Sequence, residues 1–545
     1  MSGARGKERY VAAFDFGTGG GRCAIFDLAG RRVGLGYRPW RYRQPDPADP
    51  SVREFDPALF WAELCQALAE ARQQAGVEAS QIAAVSATGQ REGIVLLDEA
   101  GRELYAGPNI DYRGRDGNRW LAEHLGEEIY RRSGHWPEGF FAPGRLWWLR
   151  QRAPELFQRA RHLLTIPDWI LFRLSGAAVS EPTAAVETLL WDLETSAWNT
   201  SLLARLEIPP HLCPPLATAG RVVGRVTEEA ARQTGLAPGT PVVAGGADTQ
   251  CALLGAGVLD PGSTGVVSGT TTPIQLVTAR PVLDPRRRTW TCPHLLPGRW
   301  VVEANARLTG LVFRWLRDSF YGGLDPRAAE ELMLEEAESA GAGAGGTFAF
   351  LGPVISCASA PQPERSLLWG LRPEREGGRA RGQVVRAFLE NIAYAVRANV
   401  ELAELIGGLV NTRVVLTGGG SRHPLLPRLV AAVLGRSITV AAESESAALG
   451  AAICAAAGAG CYPDLKAAAA AMVQPGRSVS PEEISPGGRG EGKEAFSGPE
   501  AARSGSSAGA GGDWQEYQEL YRRWRKLYDE LYLAGNRLEL GLRPL

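Results

Sequence analysis

Lysine is scarce in this chain of 545 residues: of 59 basic residues only Lys7, Lys466, Lys493 and Lys526 are lysine. None stands in a G-x-x-x-x-G-K-S/T setting, so a Walker-type loop is excluded and any phosphate must be held by other means. A charge excess is also missing. The formal net charge is −1, which provides no basic field for nucleic acid or anionic lipid. The eight cysteines (Cys23, Cys65, Cys213, Cys251, Cys292, Cys357, Cys454, Cys461) show neither C-x-x-C nor Cys/His ligand spacing. They are expected to be reduced core fillers. No uninterrupted apolar run reaches membrane-spanning length, and MSGARGKERY leads into a strand without an apolar signal core, so a cytoplasmic location is expected. What is present is ordinary for a globular protein of at least two domains: 45% hydrophobic and 22% charged residues.

The most informative segment is VAAFDFGTGGGR, Val11 to Arg22, partly echoed by TGVVSGTTTPIQLV, Thr264 to Val277. Each reads as strand, tight turn, strand. Gly-Thr followed by more glycine lets backbone N–H groups approach an anion, because no Cβ intervenes and turn amides form a nest. Two such hairpins half a chain apart imply two related lobes gripping one polyphosphate, hence an ATP-using enzyme. Arg22, which closes the first hairpin, supplies the cation that lysine does not.

Asp56-Pro57 makes an N-cap and first-turn pair for an amphipathic helix ending near Gly76. IAAVSATGQREGIVLLDEAG reads as strand, displayed polar turn at Gly89 to Gly93, strand. The tryptophan-rich GRLWWLRQ and IPDWILFRLSG are expected to be helices packed into the core. PVVAGGADTQCALLGAG ends a β-branched strand in Gly245-Gly246 and delivers Asp248 at a helix start, either as an N-cap or as a base. RVVLTGGGSRHPLLPRLVAAVLGRSITV reads strand, glycine turn, helix, strand, where Gly418 to Gly420 would let a flat nucleotide lie on the backbone. Residues 476–512 are rich in Pro, Gly, Ser and charge and read as a flexible linker. Trp514, Tyr517, Tyr521, Trp524 and Tyr528 then recur at helical spacing, predicting a docking helix over 513–535.

Taken in order, FDFGTGGGR, GQREG, NIDYRGR, GGADTQ, SGTT, ARLTGLVFRWLRD, WGL, RAFLENIAYAV, TGGGS and ESAALGAA resemble the FGGY carbohydrate kinases over residues from about 10 to 475. The resemblance implies an α/β fold of two actin-like (ribonuclease H-like) lobes, mixed sheets flanked by helices, with an ATP cleft between them. The lobes would span 8–255, binding substrate and phosphate, and 256–475, binding nucleotide. It further implies that Asp248 is the catalytic base and that Asp15, together with Asp248, attends a Mg2+ ion. Gly17, Thr18, Gly19, Arg22, Gly269 and Thr270 would cradle the phosphates of ATP. Gly310 and Arg314 would approach the nucleotide, and Gly419 and Gly420 would face adenosine. Pro424 stands where some relatives carry asparagine, which leaves the adenine contact there in question.

The acceptor set implied by the resemblance is Arg91, Glu92, Asp111, Arg113, Phe140, Asp248 and Thr249. Arg91-Glu92 resembles the pair of the glycerol-specific kinases, and a guanidinium beside a carboxylate suits vicinal hydroxyls. Asn109, however, replaces a usual tryptophan, and Phe140 replaces a tyrosine whose hydroxyl would contact glycerol. SATGQREGIVLLDEAGRELYAGPNIDYRGR, PDWILFRLSG and ETLLWDL are most similar to a branch that phosphorylates the terminal hydroxyl of a five-carbon dihydroxy-dione signal. An ordinary pentulose or polyol kinase is the alternative; an actin-like ATPase without a sugar substrate is a second. The expected partner is a small molecule, with no nucleic acid or membrane, and a homodimer is left open.

Overall fold

Val11 to Phe16 are buried on both faces of their strand, and a strand apolar on both faces belongs in the middle of a sheet. In the computed structural model, which describes residues 9–360, 365–372, 380–484 and 514–534, the Tyr10–Gly17 strand is indeed central. It pairs antiparallel with Gly20–Asp27 and parallel with Ile82–Gly89. The full six-stranded order is Val222–Arg225, Pro241–Ala247, Ile82–Gly89, Tyr10–Gly17, Gly20–Asp27, Arg32–Pro39. A seven-stranded sheet repeats the wiring: Ser263–Val267 pairs antiparallel with Thr271–Thr278 and parallel with Arg413–Thr417. The echo between the two glycine hairpins is thus a repeat of topology. Mixed sheets flanked by helices agree with the expected α/β class.

Asp56 accepts from the amides of Ala58 and Leu59 at 3.1 and 3.3 Å, and Gly76 at φ 63° closes the Pro57–Ala75 helix, as its cap residues predict. That helix presses Phe60 into an aromatic cluster of Phe16, Trp40 and Phe55 beneath the first hairpin.

Two helices lie between the sheets. Asp248–Gly255 follows the first sheet directly, whereas Ser446–Gly458, far along the chain, packs Ala448, Ala451 and Ala455 against Val11, Ala13 and Val243 of that same first sheet. Small residues bring their backbones together: a Cβ on Gly450 would meet the Cys251 carbonyl at 1.9 Å, and one on Gly255 the Ser446 carbonyl at 2.0 Å. Gly450→Ala is therefore expected to cost about 1–3 kcal/mol, read as a lowered thermal midpoint; an unchanged midpoint would contradict this packing.

Several expectations need adjustment. The strands on either side of Gln90 to Gly93 are not a hairpin: Ile82–Gly89 is in the six-stranded sheet and Ile94–Leu97 in a three-stranded one. The turn between them is buried, not displayed. Trp169 is core, but Trp147 is exposed, since its helix, Ala142–Arg152, turns that face outward. Of the stretch assigned to a linker, Arg477–Val479 adds an edge strand beside Ile438–Val440, while 485–512 lies outside the described residues. Trp514–Leu527 buries Tyr517 and Trp524 on the second lobe, where the Trp524 indole donates to Asn391 at 2.9 Å.

Candidate active site

Parallel register brings three segments to one edge of the first sheet. Asp15 is level with Thr88, and Gly246 is level with the same Thr88, so the chain leaves three neighbouring strands at Gly17, Gln90 and Asp248 together. Carboxyl ends of adjacent strands are where open α/β sheets bind ligands. The Thr88 hydroxyl donates to the Gly246 carbonyl at 2.8 Å, and the Ala247 amide to the Thr183 hydroxyl at 3.0 Å. Thr183 in turn donates to Glu181. This chain of bonds fixes the backbone that presents Asp248.

Asp248 occupies the first helical position, one residue past the cap position at Ala247, and its carboxyl accepts from the Thr249 amide. Burial raises its carboxyl to about 7, opposed by Arg91 and reinforced by Asp15. Asp15 is raised to about 6 by burial, with Arg22 opposing and Glu445 adding to the shift. The Arg22 guanidinium lies 3.9 Å from Asp15 and 3.3 Å from Glu445, which immediately precedes the Ser446–Gly458 helix. The first hairpin thereby meets the second lobe.

Glu92 sits in the left-handed region at φ 60°, a conformation costly for a residue with a Cβ. Buried Arg145 holds it there, donating to the Glu92 carbonyl and to those of Gly107 and Pro108 at 3.3 and 3.1 Å. Burial pushes the Glu92 carboxyl well up, against the pull of Arg91. Arg91 forms a two-pronged pair with Glu303 of the second lobe, both contacts at 2.8 Å, and approaches Glu187 at 3.4 Å. Its guanidinium also lies over the Trp290 ring. A second cross-lobe pair joins Arg307 to Glu138 at 3.0 Å.

Asp111 is fully buried and committed: it accepts from Arg113 at 2.7 Å, from the Arg53 amide at 3.2 Å and from Tyr105. Arg113 also reaches Glu54 at 2.7 Å. Phe140 is buried edge-on to Tyr112 at 5.6 Å, and Thr249 donates to Gln250 at 2.7 Å. Asn109 binds the Thr18 hydroxyl at 3.1 Å while its amide donates to Gln90 at 3.1 Å, tying the first hairpin to the Asp111 loop.

On the second sheet, Ser268 to Thr270 and Gly418 to Gly420 leave paired parallel strands side by side, and the Gly420 amide donates to the Ser268 carbonyl at 3.0 Å. Gly310 opens the helix Gly310–Phe320 against the same turn: a Cβ there would meet the Gly269 carbonyl at 2.3 Å. Gly19, Gly269 and Gly419 are open to an incoming group, since a Cβ added to any of them would meet nothing nearer than 3.6 Å, whereas one on Gly17 would press on the Gly20 carbonyl at 3.1 Å and on Arg22 at 3.2 Å. Arg314 and Pro424 are both exposed, Arg314 one turn into its helix and Pro424 at the cap of Leu425–Leu434.

Sequence reasoning missed Glu303, Glu187, Arg145, Glu181, Thr183 and Glu445. A buried acid in an apolar run, as Glu187 in VETLLW, is the one local signal among them.

Comparison with known proteins gives the same outline. Residues 10–255 match the N-terminal domain, and 265–459 the C-terminal domain, of the FGGY family of carbohydrate kinases. An autoinducer-2 kinase of Salmonella typhimurium is 33% identical over 486 residues, 87% of this chain and 90% of the relative. One from Yersinia enterocolitica is 34% identical over the same extent. Among solved structures, xylulose kinase from Rhodospirillum rubrum superposes with TM-score 0.76 at 28% identity, covering 96% of this chain and 99% of that one. Plasmodium falciparum glycerol kinase with ADP reaches 0.72 at 18% identity, covering 87% and 94%, a likeness of fold. No described helix is long and apolar enough to cross a membrane. The chain has the two-lobe actin-like fold and belongs to the FGGY family of carbohydrate kinases, phosphotransferases that use ATP to phosphorylate a sugar or polyol.

Proposed function

We propose that the acceptor is the five-carbon dihydroxypentanedione precursor of autoinducer-2, and that Asp248 takes the proton from its attacking hydroxyl. The observation that carries the catalytic part is the register of three parallel strands, which gathers Asp15, Arg91-Glu92 and Asp248 at one sheet edge. The substrate assignment rests on the names of relatives 33–34% identical over 87% of the chain.

Phosphoryl transfer asks a protein mainly for alignment and charge neutralisation. Asp248 accepts the hydroxyl proton as the oxygen attacks the terminal phosphorus and ADP leaves. The open glycines of the two hairpins, with Thr18 and Thr270, offer amides and hydroxyls to the phosphates, and Arg22 adds a cation. Gly419 leaves room for nucleotide, while Gly310 and Gly420 let the turns close on Gly269 and Ser268 beside it. Glu92 and Asp248 face the acceptor; Arg91, already engaged by Glu303, orients Glu92 and lowers the charge around it. A hard all-oxygen pair of neighbouring carboxylates, Asp15 and Asp248, fits Mg2+, which when bound neutralises charge on the phosphates.

Gly310→Ala would drive a methyl group into the Gly269 turn. KM for ATP should rise about tenfold, an RT ln 10 cost near 1.4 kcal/mol, with KM for the acceptor unchanged. Equal effects on both would contradict the assignment of this turn to nucleotide. Acceptor choice is tested by comparing kcat/KM for the dihydroxy-dione, xylulose, ribulose and glycerol. The dihydroxy-dione should lead by at least an order of magnitude; a lead for xylulose or ribulose would replace the proposal with a pentulose kinase.

A further inference from the structure

Beneath the acceptor turn lies a cluster that phosphoryl transfer does not use. His135 is wholly buried, and its Nδ1 is bonded to the Ser133 carbonyl at 2.8 Å. A carbonyl can only accept, so Nδ1 carries the proton, and in the neutral ring Nε2 then presents a lone pair. That nitrogen faces a carboxylate: Glu187 Oε2 is buried and 3.4 Å away, with His135 as its neighbour on that side. Cys292 Sγ is 3.7 Å from the same nitrogen. We propose that His135 Nε2, Glu187 Oε2 and Cys292 Sγ form a three-ligand site for a zinc-type divalent cation that clips the two lobes together.

Three observations carry this. The first is the triangle itself. With zinc–nitrogen and zinc–oxygen bonds of about 2.0–2.1 Å and a zinc–sulfur bond of about 2.3 Å at tetrahedral angles, ligand atoms stand about 3.3 Å (N to O) and about 3.6 Å (N to S) apart. The N to O and N to S separations in the protein are 3.4 and 3.7 Å; the O to S leg lies within 4.8 Å and would close to about 3.6 Å on a bound cation. The second is the outer shell. The Ser133 carbonyl fixes the imidazole tautomer, and Arg91 engages the other oxygen of Glu187 at 3.4 Å, so each of these ligands is oriented from behind as metal ligands usually are. The third is charge. Glu187 and Glu303 share the one guanidinium of Arg91, and a divalent cation balances the surplus carboxylate as the thiol proton of Cys292 passes to solvent.

The chain supplies these ligands from both halves. His135 and Glu187 belong to residues 10–255, and Cys292 to the Trp290–Pro293 strand of the second sheet. A cation here would fasten the same junction that Arg91 and Glu303 span, and a mixed N, O, S set favours zinc over magnesium.

The test uses the full-length protein, purified without chelator, and its readout is metal content and spectrum, independent of any sugar substrate. Zinc should be present at about one per chain after dialysis. Exchange with Co2+ should give a thiolate-to-cobalt charge-transfer band, lost in Cys292→Ser and kept in Cys213→Ser. His135→Gln, a second variant in case the first does not fold, should reduce Co2+ affinity at least tenfold. Wild-type protein that is folded yet holds no stoichiometric zinc and develops no charge-transfer band would overturn the site, as would a band that persists in folded Cys292→Ser.

Discussion

Asp248→Asn is expected to lower kcat by about 10²–10⁴-fold, the range over which a positioned general base contributes, while leaving ATP binding intact. Asparagine keeps the shape and removes the proton-accepting oxygen. The variant should fold as the wild type does, because an asparagine oxygen can still accept from the Thr249 amide and the Thr88 and Thr183 contacts that hold Gly246 and Ala247 use backbone atoms. The wild-type pH profile supplies a companion result. Burial raises the Asp248 carboxyl to about 7, and a base must be ionised, so kcat/KM should fall below about pH 7, approaching tenfold per unit. Arg91 lowers that value, so Arg91→Ala should move the acid limb to higher pH. A flat profile from pH 5 to 8 would contradict Asp248 as the base whose ionisation limits the free enzyme.

The second large effect concerns the pair that joins the lobes. Arg91→Ala leaves Glu92, Glu187 and Glu303 buried together without their cation, and removing one partner of a buried pair costs about 3–5 kcal/mol. Glu303→Ala is milder, because Glu187 and Glu92 still neighbour Arg91. A double-mutant cycle on thermal or denaturant unfolding should return a coupling energy of about 1–3 kcal/mol. Acceptor KM should rise in both variants, because Glu92 loses its neighbour's orientation. Singles that each cost under about 1 kcal/mol, with no coupling, would show that the contact carries no energy between the lobes.

Much of this site was legible because its signals are local. A strand apolar on both faces, a Gly-Thr turn, and a carboxylate delivered after Gly245-Gly246 each declare themselves within about ten residues, and parallel register then fixes which strand ends meet. The partners that hold those groups are not local. Glu303 lies 212 positions from Arg91, and Glu187 lies 96; neither has a spacing rule to reveal it. The same limit explains why Gln90 to Gly93 read as a displayed hairpin turn: local pattern gives the two strands, but not that they join different sheets. Ser446–Gly458 carried its small-residue pattern openly, yet only the fold reveals that it crosses Asp248–Gly255 on the first sheet. Asp111 and Arg113 stood out in sequence, and their side chains are largely spent on Tyr105, Glu54 and one another, so the loop they brace matters more than their free valences.

The most direct test of the central claim is ADP formation by wild type and Asp248→Asn, each with and without the dihydroxy-dione. Wild type should release ADP in step with phosphorylated acceptor and only slowly without it, and the variant should bind ATP yet lose the acceptor-dependent rate. ADP release that ignores the acceptor and survives in Asp248→Asn would contradict transfer to a hydroxyl deprotonated by Asp248.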